Sequence, residues 1–168
     1  MPRKNTGRAE CSLVSLVSQK IAVSIEKATT CRVYTKCSAL RGTAAEAGTE
    51  YVEESLEAWA HSQMEEKHVL LFVGACGIAV RAIAGSVKDK LTDSPVLVMD
   101  ELGQYVIPLL SGHVGGANEL AGELAAVTGA IPVITTATDL NHKFAVDLFA
   151  KTRKELPGCP PRSWQERL

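Results

Sequence analysis

Apolar positions along the chain fall into two kinds of run. Short continuous blocks, SLVSLV (12–17), CRVYTK (31–36), HVLLFV (68–73), VLVM (96–99), QYVIPLL (104–110) and IPVIT (131–135), predict strands, several of them covered on both faces. Between them, apolar residues recur at helical spacing. KIAVSIEKA (20–28) sets Ile21 and Ile25 on one face, and 51–67 sets Val52, Leu56, Trp59 and Ala60 on one face with charges opposite. GACGIAVRAIAGSV (74–87) opens with a glycine turn and continues as a very apolar helix. After SGHVGGAN (111–118), Leu120, Leu124 and Val127 form a stripe that Gly129 is suited to end. A last helix over 141–151 places Phe144, Leu148 and Phe149 inward.

Strands alternating with helices predict an α/β fold: three α/β/α layers on a mostly parallel sheet, with one antiparallel hairpin where DELG (100–103) joins 96–99 to 104–110. We expect 104–110 to run with the parallel set, the loop 88–95 carrying the chain back so that 96–99 is the reversed strand. The opposite assignment would separate the two glycine turns. Pro108 inside the second strand suggests a strand end or an edge. The domain is expected to span 11–151, with a disordered tail over 1–10 and an unpacked tail over 152–168, where three prolines break any periodicity. The residues 37–49 are small and polar and read as a loop.

Charge narrows the partners. Eighteen Lys and Arg against 19 Asp and Glu leave a net charge of −1, so no basic excess is available for a nucleic acid. No apolar run approaches the roughly 20 residues of a membrane span, and the basic start lacks a secretory pattern, so a cytoplasmic protein is expected. Cysteines at 11, 31, 37, 76 and 159 are odd in number and form no Cys-x-x-Cys pair. Reduced thiols and no protein metal site are the expectation.

Ligands of open α/β sheets sit beyond the carboxyl ends of strands. Three such ends are chemically unusual here. At 74–77, Gly74 and Gly77 permit close backbone approach to an anion at a helix start, and Arg81 is the one charge on the helix that follows. A plain strand-to-helix turn explains the same residues, and a snorkelling arginine explains Arg81. At 111–118, Gly112, Gly115 and Gly116 relax the backbone, while Ser111, His113 and Asn118 bring a hydroxyl, a titratable base and an amide. Capping by Asn118 or Gly116 is the bland alternative, and it leaves most of the cluster unexplained. At 135–139, Thr135, Thr136 and Asp139 suit a polar ligand, or Thr138 or Asp139 simply caps the last helix. His61 and His68 read as surface residues, as does His142. The charged run 88–93 reads as a wet loop or a lid. No phosphate-loop lysine motif and no ordered G-x-G-x-x-G follows a strand, so a nucleotide site has little support.

The segments GACGIAVRAIA, KDKLTDSPVLVMDELGQYVIPLLSGHVGGANELA and IPVITTATDLNHKFAVDLFA resemble the amino-terminal part of the cobalamin-biosynthesis G proteins, the cobalt-precorrin-5A hydrolases of the anaerobic pathway. The likeness is dense over 68–151 and weaker over 11–67. It implies opening of the δ-lactone of cobalt-precorrin-5A with loss of acetaldehyde to give cobalt-precorrin-5B. The implied substrate is a tetrapyrrole that carries its own cobalt, with no further cofactor. His113 is then the candidate base, with Ser111, Asn118 and the backbone amides of 115–117 as candidate oxyanion donors. Gly74, Gly77, Arg81, Gly112, Gly115, Gly116, Thr135, Thr136 and Asp139 are candidates for binding the substrate's carboxylates. The family's proteins usually continue into a carboxyl-terminal domain. The alternative is therefore a non-catalytic tetrapyrrole-binding module, or one that docks a separate carboxyl-terminal domain or other corrin-pathway enzymes.

Overall fold

A computed structural model of the chain describes residues 11–15, 25, 31–45 and 48–136. The expected tails over 1–10 and 152–168, the helix over 141–151 and all of the helix over 20–28 except Ile25 lie outside the described residues.

The apolar blocks become strands β1 (Cys11–Ser15), β2 (Cys31–Thr35), β4 (Val69–Val73), β5 (Val96–Met99) and β6 (Tyr105–Leu110). Two short edge strands, β3 (Glu50–Tyr51) and β7 (Ile131–Pro132), complete one sheet in the order β3-β2-β1-β4-β5-β6-β7. All neighbours are parallel except β5 and β6. All five residues of β4 are buried, as a central strand sandwiched between two helix layers requires.

Helix α1 (Leu56–Glu65) starts where the Ser55 hydroxyl accepts the Ala58 N–H at 3.1 Å. It was expected to begin at 51, but Tyr51 pairs with Thr35 in β3 instead. Helix α2 (Cys76–Ile83) and α1 cover one face, where Trp59 meets Tyr34 and Phe72 edge-on with ring centroids 5.3 and 6.0 Å away. Helix α3 (Ala117–Thr128) covers the other face, burying Ala117, Ala121 and Leu124 against Leu97, Met99 and Val106, and Ile25 joins this core. The architecture is three-layered α/β/α as expected. Val127, assigned to the inward stripe, is exposed, because the buried face of α3 turns on Ala117, Ala121 and Leu124.

The hairpin runs opposite to expectation. β5 is parallel to β4, and β6 is the reversed strand, with β7 parallel to it. The reason is the connection 74–95. It contains a whole helix and is long enough for a crossover, which returns the next strand parallel to the last. Asp100 then closes the hairpin: its carboxylate accepts the N–H groups of Leu102 and Tyr105, and Gly103 takes a φ of 69°.

Two further expectations are corrected. His68 is not a surface residue. Its side chain is 13% exposed, with Nδ1 3.0 Å from Gln63 Oε1 and 3.5 Å from Glu66 Oε2, and the fully buried Ser12 hydroxyl donates to the same Gln63 oxygen. Cys11 and Cys31, expected as thiols, are joined as a disulfide, because strand register sets them directly opposite each other.

Candidate functional site

Reversal of β6 divides the candidate residues between two rims. The carboxyl ends of β1 to β5 form one rim, which carries the turn 74–77. The carboxyl ends of β6 and β7 form the other, which carries 111–118 and Thr135–Thr136. Among the described residues, the turns 74–77 and 111–118 therefore do not line the one pocket that the sequence had suggested.

At the first rim, Gly74 has a φ of 150° and its N–H donates to Met99 O at 2.8 Å, tying the turn to the end of β5. The turn stands beside the point where strand order reverses between β1 and β4, the usual crevice of a doubly wound sheet. Helix α2 begins after Ala75 with no side-chain cap. Arg81 does not reach across the rim. Its Nη1 curls back to Gly77 O in the preceding turn at 3.0 Å, and the residue is exposed. Gly77 and Arg81 thus contact each other.

The second rim is built more tightly. Ser111 leaves β6 with a φ of 57°, unusual for a residue with a side chain, and its hydroxyl donates to Asp93 O at 2.8 Å. The turn then closes on itself. Gly116 N–H donates to His113 O, Ala117 N–H to Ser111 O and Asn118 N–H to Gly112 O, at 3.1–3.2 Å. Gly116 caps α3 with a φ of 83°. Asn118 Nδ2 donates to Thr136 Oγ1 at 2.9 Å, joining this turn to the segment after β7. Thr135 is exposed and Thr136 half-buried, while Asp139 lies outside the described residues.

These bonds change what the cluster can do. The amides of Gly116 and Ala117, expected to face a developing oxyanion, are engaged inside the turn, and the Ser111 hydroxyl is engaged by the Asp93 carbonyl. Gly112 and Gly115 are small for internal reasons: an added Cβ would stand 2.8 Å from Asn118 Oδ1 at Gly112, and 2.5 Å from Ser111 Cβ at Gly115. His113 is half-buried in the middle of the turn.

The structure adds a residue that the sequence reading passed over. Both Asp93 carboxylate oxygens accept the Lys88 N–H and one also accepts the Asp89 N–H, at 3.0–3.1 Å. The run 88–93, taken as a wet loop or lid, is a closed turn that presents the Asp93 carbonyl to Ser111. The signal was a carboxylate five residues past the first loop amide, the spacing of a side chain folded back on its own loop. Beside it, Lys88 pairs with Glu65 at 2.7 Å. That hydrogen bond and charge hold the Glu65 carboxyl below the usual carboxylate range and raise the Lys88 ammonium above its own. Among the described residues no group of three or more His, Cys, Asp and Glu could hold a metal, and no described helix is long and apolar enough to cross a membrane.

Fold and turns together define a three-layer α/β domain on a mostly parallel sheet, with glycine-rich polar turns at both rims. Its residues 58–139 match the cobalamin synthesis G N-terminal family. The chain is 59% identical over 81 residues to a cobalt-precorrin-5A hydrolase of Salmonella typhimurium, a match covering 48% of this chain and 23% of the relative. It is 50% identical over 90 residues to the cobalt-precorrin-5A hydrolase of Priestia megaterium, covering 54% of this chain and 24% of that one. The matched segment thus spans about a quarter of these curated relatives. A crystal structure of a putative cobalamin biosynthesis protein G homolog from Sulfolobus solfataricus shares the fold, with a TM-score of 0.54 and 22% identity over 76% of this chain and 36% of that one.

Proposed function

We propose that the chain serves as a domain of a cobalt-precorrin-5A hydrolase and contributes the 111–118 rim to binding a cobalt-bearing tetrapyrrole. The observation that carries this reading is the sequence match, which runs through the whole 111–118 turn and the Asp93 loop that braces it. The substrate supplies its own cobalt, and the domain supplies polar groups toward its acetate and propionate arms.

In this reading His113 takes a proton from water as that water adds to the lactone carbonyl. Its support is position: His113 lies in the middle of a turn that three internal backbone bonds close and that the Ser111–Asp93 and Asn118–Thr136 bonds tie to neighbouring segments, so the backbone carrying the imidazole is ordered before substrate arrives. Ser111, Gly112, Gly115, Gly116 and Asn118 then build the platform rather than react. Gly74, Gly77 and Arg81 belong to the opposite rim and are left with a separate ligand group or with none. Thr135, Thr136 and Asp139 remain substrate-side candidates.

A second reading has its own support. The matched segment is a quarter of its relatives, and the amides of Gly116, Ala117 and Asn118, the Ser111 hydroxyl and the Asn118 side-chain amide are already engaged within the protein. Both facts favour a tetrapyrrole-binding module that acts only with the remaining domains. One assay separates the two: acetaldehyde release from cobalt-precorrin-5A, with this chain alone, with the complementary part of a full-length relative, and with each His113→Ala counterpart. Turnover by the chain alone that falls in His113→Ala supports the catalytic reading. Binding without turnover until the second part is added supports the module. No binding of the lactone substrate under either condition removes both.

A further inference from the structure

Cys11 and Cys31 are the first residues of neighbouring parallel strands and direct partners in register, with Cα atoms 4.5 Å apart and their sulfurs bonded. Both are half-buried and pack against the core that contains Leu13, Val33 and Ile25, so a small reagent has access while the strands hold the two sulfurs together. The other two described cysteines, Cys37 and Cys76, follow the carboxyl ends of β2 and β4 at the opposite rim. A five-residue strand separates the rims by roughly 16 Å, so neither thiol can attack the disulfide.

We propose that Cys11–Cys31 is a reversible redox modification site, opened by dithiols and closed by small-molecule disulfides. In opening, one thiolate of the dithiol attacks a Cys sulfur and breaks the Sγ–Sγ bond. Its second thiol then displaces the mixed disulfide, leaving two protein thiols and an oxidised, cyclised dithiol. Closure is the reverse exchange with a disulfide such as oxidised glutathione, which leaves as two thiols. Two electrons and two protons move in each direction. The bond closes a loop of sequence separation 20 and fastens β1 to β2 at the rim that carries the 111–118 turn. Closing it restricts the unfolded chain far more than the folded sheet, where register already holds the pair.

The test uses the full chain after treatment with dithiothreitol or with oxidised glutathione. Thiol titration in denaturant should find the sequence's five cysteines free after reduction and two fewer after oxidation. Peptide mapping without reductant should recover residues 11 and 31 in one linked species. The oxidised form should melt about 5–10 °C above the reduced one. Cys76→Ser should keep that difference, and Cys31→Ser should abolish it. Linkage of a different pair, five thiols after oxidation, or equal melting of the two wild-type forms would overturn the proposal, and none of these readings depends on a variant folding.

Discussion

Gly115→Ala tests whether the 111–118 turn is the tightly closed unit described above. An added Cβ would lie 2.5 Å from Ser111 Cβ, 2.8 Å from Ser111 O and 3.2 Å from Pro95 Cγ. None of these is the free end of a flexible side chain. The Ser111 carbonyl accepts Ala117 N–H, and the Ser111 hydroxyl is tethered to Asp93 O. Gly115 itself has no left-handed φ, so its backbone suits alanine and the cost is steric. Overpacking of this kind costs ~1–3 kcal/mol, and losing the Ser111–Asp93 bond as the turn shifts adds about 1 kcal/mol. The sum is about 2–4 kcal/mol, or a fall in melting temperature of roughly 5–15 °C at this chain length. Gly122 on α3 is the internal control. Nothing lies within 4 Å of its added Cβ, so Gly122→Ala should stabilise by about 0.5–1 kcal/mol. Urea unfolding followed by far-UV circular dichroism reads both. Ser111→Gly in the Gly115→Ala background removes the Cβ contact but leaves the carbonyl contact, so it should recover part of the loss, a positive coupling in the double-mutant cycle. A Gly115→Ala midpoint at or above wild type, or a cost unchanged by Ser111→Gly, refutes the packing argument.

Gly116→Ala meets no neighbour within 4 Å, but its φ of 83° should cost about 1–2 kcal/mol by conformation alone, with Gly116→Asn losing less; equal midpoints for the two would contradict this. Asp93→Ala removes the acceptor of the Lys88 and Asp89 amides. It should lower stability by about 1 kcal/mol and speed amide exchange at 88, 89 and 117 together, the Ala117 N–H being bonded to Ser111 O; loss of protection at 88 and 89 alone would separate the loop from the turn. Lys88→Gln should have a pH-dependent effect. Glu65 has its carboxyl lowered by the bond and charge of Lys88, so its contribution is full above the ordinary carboxylate range and lost as pH falls through the lowered folded value. Lys88 is raised by the same pairing, so its contribution is full below the ordinary ammonium value and lost as pH rises through the raised one. The gap between variant and wild type should therefore close in acid and in strong alkali. With the two side chains 63% and 57% exposed, it should also shrink with added salt, and a salt-independent gap would argue against the pair.

What could be read from the chain, and what could not, follows from the range of each cause. Strands β1, β2, β4, β5 and β6 were legible because strands of a covered sheet show as short, mainly apolar blocks, unbroken where burial is complete, as in VLLFV of β4 and VLVM of β5. Strand β3 was not, because a two-residue edge pairing held by Thr35 and Tyr34 leaves no pattern of its own. The hairpin's orientation was misjudged from the polarity of 88–95, whereas the deciding fact was upstream: a helix between β4 and β5 makes them parallel, and the short connection 100–104 then forces β6 back. Residue types at 111–118 marked the turn correctly, yet their meaning depended on Asp93, Pro95 and Thr136, which only the fold brings near.

The reversal has a consequence for chemistry. In an all-parallel sheet the loops that bind ligand share a rim because every strand ends there. Here β6 and β7 end where β4 and β5 begin, so 111–118 faces the incoming loop 88–95 instead of the turn 74–77. A large ring held at this rim would meet one glycine turn, the segment after β7 and the Asp93 loop. The carboxylate partners that the turn 74–77 was expected to supply must then come from elsewhere, and the three quarters of the longer relatives that this match does not cover have the room to supply them. On that reasoning, adding the complementary part of a relative should tighten tetrapyrrole binding to the chain, whereas Arg81→Ala should leave it unchanged.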